Sequence, residues 1–179
     1  MENTLQIKDR VAVNKVPVLS RNIHRGDVVV FRDPANWLPI PMEEKQNKII
    51  NTLHNGLIAA GVLPNPAKQF LVKRVIGIAG DTVECCATDG SLIINGKKTH
   101  EPYIFAGNKP SEMNFNVTVP EGKIWVMGDH RGASADSRYH QDDINNGMVP
   151  LSKVTGRVFG IIWPFDHFGF VASHDPLTK

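Results

Sequence analysis

The stretch Trp125-Val-Met-Gly-Asp-His-Arg-Gly-Ala-Ser-Ala-Asp-Ser-Arg138 governs how the rest of the chain is read. Apolar residues run from Ile124 to Met127 and stop at Gly128-Asp129. A dense set of small and charged residues follows, closing on Ser134, Asp136, Ser137 and Arg138. A buried strand feeding a polar turn is a common way to hold reactive groups on a rigid support. The same composition also suits a strand followed by a solvated loop, so a partner stretch elsewhere has to decide.

Working outward, short apolar or β-branched runs recur along the chain. Val11–Val13, Val28–Phe31, Gln69–Ile76 and Val154–Trp163 read as strands, with a short one near Met148. Thr82–Cys86 and Ser91–Gly96, separated by Asp89-Gly90, predict a hairpin. Asn116–Val119 and Lys123–Val126, on either side of Pro120-Glu-Gly122, predict another. Residues 100–115 read as irregular. Only 43–60 has a helical pattern: Ile49, Leu53 and Leu57 recur four apart, and Gly61 and Pro64 close the segment. The expected fold is mainly β, a barrel-like or sandwich domain spanning 1–179 with one inserted helix near 43–60.

The 179 residues can bury a sizeable core, and a net charge of +2 gives no reason to expect a nucleic-acid partner. Cys85 and Cys86 are adjacent. Neighbours on a strand face opposite ways, so they are expected to be strand residues, neither a disulfide framework nor a metal site. His130, His140 and the nearby aspartates match no standard metal spacing. No run of 18 or more apolar residues is present. Met1–Asp9 is too polar for a secretory signal and leads at once into strand-like sequence, as though a preceding segment had been removed.

The partner stretch contains Lys73, in the middle of an apolar strand between Val72 and Arg74. Burying an ammonium is costly, so an edge-strand lysine with its head in water is the plain reading. Arg74, however, points to the opposite face, so one of the two cations must face the core side. If that one is Lys73, desolvation lowers its pKa and makes it a general base for a hydroxyl. Ser134 in the turn would then orient the amine.

Two boxes carry a family resemblance. Phe70-Leu-Val-Lys-Arg-Val-Ile-Gly-Ile-Ala-Gly-Asp81 and Met127-Gly-Asp-His-Arg-Gly-Ala-Ser-Ala-Asp-Ser-Arg138 resemble the K-R-V-x-G-x-P-G-D and G-D-N-R-x-x-S-x-D-S-R boxes of type I signal peptidases. Asp9–Lys15, Arg25–Arg32 and Ile161–Phe165 fit as well, so the likeness omits little besides 43–60. The resemblance implies a membrane-anchored serine protease acting on the extracytoplasmic face, removing signal peptides from exported preproteins without a cofactor or metal. Its partners would be those signal peptides and the membrane surface. Lys73 would be the general base and Ser134 the hydroxyl that orients it. Asp136 and Arg138 would form a supporting salt bridge, with Asp129 and Arg131 shaping the turn. Cleavage would follow small residues at the first and third positions before the scissile bond. Phe70, Leu71 and Val72 would pair with the substrate strand, and Met1 and Leu5 would line its pockets.

Three departures matter. His130 stands where the family usually has Asn, and Ala79 where it usually has Pro. The family's nucleophilic serine opens a Ser-Met-x-x-Thr-Leu stretch, and Met1-Glu-Asn-Thr-Leu5 matches everything after that serine. The nucleophile and the anchor are therefore expected upstream of Met1, and this polypeptide alone is expected to be inactive or nearly so. Ser20 and Ser134 are weak substitutes. Two other readings stay open: a non-catalytic peptide-binding module that kept the groove, and a soluble self-cleaving Ser-Lys protease. Trp163, Phe165, Phe168 and Phe170 are divided between core packing and a bilayer interface.

Overall fold

The computed structural model describes residues 1–15, 22–38 and 69–178, and the account below concerns these residues. The helix expected near 43–60, and Ser20, lie outside them.

Eleven strands form two antiparallel sheets, so the mainly β expectation holds. They are β1 (Arg10–Asn14), β2 (Val28–Arg32), β3 (Phe70–Gly77), β4 (Thr82–Cys85), β5 (Leu92–Ile94), β6 (Lys97–Lys98), β7 (Phe115–Thr118), β8 (Lys123–Met127), β9 (Val149–Pro150), β10 (Val154–Trp163) and β11 (Gly169–Phe170). The larger sheet runs β1-β10-β2-β3-β8-β9, with β11 added to β10, and the smaller runs β6-β5-β4-β7.

Side-chain alternation explains how one set of strands feeds several core clusters. On β2, Val29 and Phe31 join Leu71, Val75, Ile124 and Val126, while Val28 faces Leu5, Val158 and Ile161. On β8, Trp125 and Met127 turn the other way, onto Ile76, Val83, Leu92, Ile94 and Phe115 of the junction with the smaller sheet. β8 is thus apolar on both faces, which is why Ile124–Met127 reads as an unbroken apolar run.

Two local expectations are corrected. β7 and β8 do not pair as a hairpin: β7 pairs with β4, and β8 pairs with β3 and β9. The Asp81 and Gly80 turn captures the chain at Val119, whose N–H donates to the Asp81 carbonyl and whose own carbonyl accepts from Gly80. The strand is thereby held in the smaller sheet before the turn at Pro120. Cys85 and Cys86 form a vicinal disulfide. The opposite-face argument fails because Cys85 is the last residue of β4, and Cys86 lies beyond the strand whose alternation was assumed.

Gly77 marks the passage from the larger sheet to the smaller. A Cβ there would lie 2.7 Å from Val83 Cγ2 and 3.1 Å from Val119 Cγ2, both in the core. Gly77→Ala is expected to destabilise the fold by about 1–3 kcal/mol, the usual cost of overpacking. The check is the urea midpoint, which should fall with an unchanged m-value.

Candidate active site

The site is built where β3 lies beside the end of β8. Arg74 pairs with Met127, the last residue of β8, and the chain then enters the Gly128–Arg138 turn. Gly128 is needed because a Cβ would collide with the Ser134 hydroxyl. That close approach lets the Lys73 amine donate to Ser134 Oγ at 2.7 Å.

Burial is the largest influence on Lys73 and lowers its pKa; Asp136 and Asp129 act in the raising direction and Arg138 in the lowering one. Asp136 and Arg138 form one ion pair beside the lysine. Both side chains are fully buried, and Arg138 Nε meets Asp136 Oδ1 at 2.9 Å. Asp136 also accepts from the Gly128 N–H at 3.0 Å, and Arg138 donates to the Arg131 carbonyl at 2.8 Å. The two residues stitch both ends of the turn together.

Arg74 is the deeper of the adjacent cations. It is 1% exposed, whereas Lys73 is half-buried. Its guanidinium forks onto Asp129 at 2.9 and 2.8 Å, donates to the Gly26 carbonyl at 2.7 Å, and lies 4.0 Å over the Tyr103 ring. Arg131, also buried, pairs with Glu101, which accepts from the Tyr103 hydroxyl at 2.8 Å. Three arginines and three carboxylates thus form one buried polar layer under the turn. His130 sits at its edge, stacked on Phe105 with ring centres 4.4 Å apart and in contact with Glu2.

The N-terminal residues close the site. The Met1 amine has a lowered pKa, first through burial and then through the Lys73 charge. The Thr4 hydroxyl accepts from Arg74 at 3.1 Å and donates to Asp129. A groove of about 360 Å³ opens alongside, with Met1, Leu5, Val11, Val72 and Ala133 among its walls.

The chain resembles known proteins over nearly its whole length. Residues 1–163 match the family model described as signal peptidase, peptidase S26. The chain belongs to this signal peptidase family. It is 36% identical to a probable signal peptidase I of Mycobacterium leprae, over 97% of this chain and 68% of that one. It is also 36% identical to signal peptidase I of Mycobacterium tuberculosis, over 98% of this chain and 66% of that one. The chain thus spans about two thirds of the length of these relatives. A solved signal peptidase I from Enterococcus faecalis matches with a TM-score of 0.46 and 25% identity, covering 75% of this chain and 95% of that one.

Of the residues singled out in this signal peptidase sequence, the structure brings together Lys73, Ser134, Asp136 and Arg138, with Met1, Leu5 and Val72 on the groove. The Phe70 and Leu71 side chains are not among those lining the groove. Leu71 is 7% exposed within the core around Phe31, on the face opposite Val72, and the Phe70 side chain is 45% exposed. Thr4, Glu101 and Tyr103 were not singled out. Glu101 and Tyr103 fall in a stretch with no periodicity, and only the capture of two buried arginines reveals their part.

Removing one member of a buried pair leaves the other uncompensated. Asp129→Ala is therefore expected to cost about 3–5 kcal/mol by thermal or denaturant unfolding. Breaking an exposed pair such as Lys98–Asp89 should leave the unfolding midpoint close to the parent's.

Proposed function

We propose that this chain is the catalytic domain of a type I signal peptidase, hydrolysing the peptide bond after small residues to release signal peptides. The observation that carries the reading is the Lys73 amine, desolvated and held at 2.7 Å from Ser134 Oγ. Depressing a lysine pKa raises the share of free amine at any pH below its ordinary value, and the free amine is the form that can act as a base. Ser134 takes one N–H as acceptor, which fixes the direction of the amine's lone pair. Lys73 would remove the proton from an attacking hydroxyl and return it to the leaving amine.

The substrate would lie as an extended strand against β3. Residues Phe70–Lys73 pair with β2 on one side, whereas β8 pairs with β3 only from Arg74 onward. Among the described residues no strand pairs along the other edge of 70–73, which is the geometry strand addition requires. The groove walls from Met1, Leu5 and Val72 are apolar, in keeping with small apolar substrate residues.

Trp163, Phe165, Phe168 and Phe170 are 46%, 75%, 68% and 91% exposed, a concentration of aromatic surface suited to a bilayer interface on the extracytoplasmic side. No helix among the described residues is long and apolar enough to cross a membrane.

The protein should cut a signal-peptide substrate after small residues. Lys73→Ala should then abolish that cleavage. Its rate should rise with pH and level off below the ordinary lysine value of 10.5, since the base is active only when deprotonated. Cleavage that survives Lys73→Ala would overturn the reading. Binding without cleavage would favour a peptide-binding module. Phe168→Ser and Phe170→Ser should weaken sedimentation with anionic lipid vesicles, and unchanged sedimentation would remove the interface reading.

A further inference from the structure

We propose that Glu2 is a specificity-determining residue: its carboxylate, held at the rim of the groove by His130, favours peptides that carry a basic side chain over those that carry an acidic one. The proposal rests on the peptide-binding reading of the groove just given and adds a charge rule to its preference for small residues.

Glu2 and His130 come from opposite parts of the chain, line the same groove and touch each other. Glu2 lies in a turn in which the Met1 carbonyl accepts from the Thr4 and Leu5 N–H groups at 2.8 Å. Thr4 fastens that turn to Arg74 and Asp129, and Leu5, 9% exposed, seats it in the core. His130 follows Asp129 in the turn after β8. Its ring stacks on Phe105 with 19° between the planes, and the Phe105 N–H donates to the Asp129 carbonyl at 2.9 Å. The imidazole is therefore fixed, and its contact with Glu2 holds the carboxylate in one place. A charge already held in position loses less side-chain freedom when a ligand uses it.

The sign of the preference follows from what the other groups along the groove do. Asp9 lines it too, but its side chain is 3% exposed, accepts from the Gln6 N–H at 2.7 Å and faces His167. Glu2, by contrast, keeps 48% of its side chain exposed. Among the described residues no lysine or arginine lines the groove. Lys73, next to Val72 in sequence, turns its amine to Ser134. The Met1 amine has its pKa lowered from 8.0, chiefly by burial, so it is more than half neutral at pH 8.0. A peptide strand lying against β3 thus passes an open carboxylate whose partner is an imidazole. A cation on the peptide is attracted and an anion repelled, each modestly because the rim faces water.

The test measures binding and does not depend on cleavage. Short capped, fluorescently labelled peptides with an Ala-x-Ala segment carry Lys, Gln or Glu in turn at x and at each flanking position. Their Kd values are read by fluorescence anisotropy at pH 8.0. At one position or more, the Lys peptide should bind about 3–10-fold more tightly than the Glu peptide, with Gln between them. The ratio should shrink toward one in about 1 M salt, where charges are screened beyond about 3 Å. Glu2→Gln should remove most of the ratio, and Glu2→Lys should invert it. Asp89→Asn makes the same change of charge at an exposed site between β4 and β5 and should keep the parental ratio. Equal binding of Lys and Glu peptides at every position overturns the proposal, as does a ratio that survives Glu2→Gln. An equal loss of the ratio in Asp89→Asn also overturns it, because net charge would then be the cause. If the Gln peptides bind without any charge preference, this proposal falls alone; if no peptide binds, the groove reading falls with it.

Discussion

The buried pair of Arg74 and Asp129 is the constraint on which the site depends. A guanidinium with 1% exposure in the middle of a strand is tolerable only with a counterion and a full set of acceptors. Asp129 supplies the first; the Gly26 carbonyl and the Tyr103 face supply the rest. Because Arg74 is on β3 and Asp129 opens the turn after β8, satisfying the arginine fixes where that turn lies over the sheet. Lys73 and Ser134 then come within reach, one being the neighbour of Arg74 and the other five residues past Asp129.

The same need propagates through the layer under the turn. Arg131 requires Glu101, Arg138 requires Asp136, and Tyr103 links the Arg74–Asp129 pair to Arg131–Glu101 through its ring and its hydroxyl. Buried ion pairs of this kind contribute little net stability compared with apolar packing, because desolvation offsets most of the attraction. Their value here lies in geometry and in charge balance. Each arginine has its carboxylate, and Lys73, with a hydroxyl as its hydrogen-bond partner, is left with burial as the largest influence on its pKa. One of two adjacent cations is thus paired with a carboxylate, while the other meets a hydroxyl and has its pKa lowered by burial.

Much of this was legible in the chain. Period-two alternation and turn residues located nearly every strand, because β propensity and turn chemistry are local. The failures share a cause. The turn at Pro120-Glu-Gly122 looks like a hairpin, yet β7 and β8 find different partners, since pairing is decided by the Val119 contact with the 80–81 turn. Cys85 and Cys86 were assigned opposite faces by a strand period that does not extend to Cys86. Alternation likewise places Leu71 in the core and Val72 on the groove, although both stand beside Lys73.

The site divides in the same way. Lys73, Ser134, Asp136 and Arg138 stand out because reactive residue types are concentrated in short boxes, and the family those boxes mark is the one the chain belongs to. Nothing local marks Thr4, Glu101 or Tyr103, which become important only where two buried arginines need partners from 30 to 70 residues away. By itself, the sequence determined the strands, the family and the chemistry within reach. The tertiary structure alone decided which cation is buried and paired, which lysine face meets the turn, and what holds the first five residues in place. Those outcomes depend on desolvation and on long-range pairing, and neither has a sequence period.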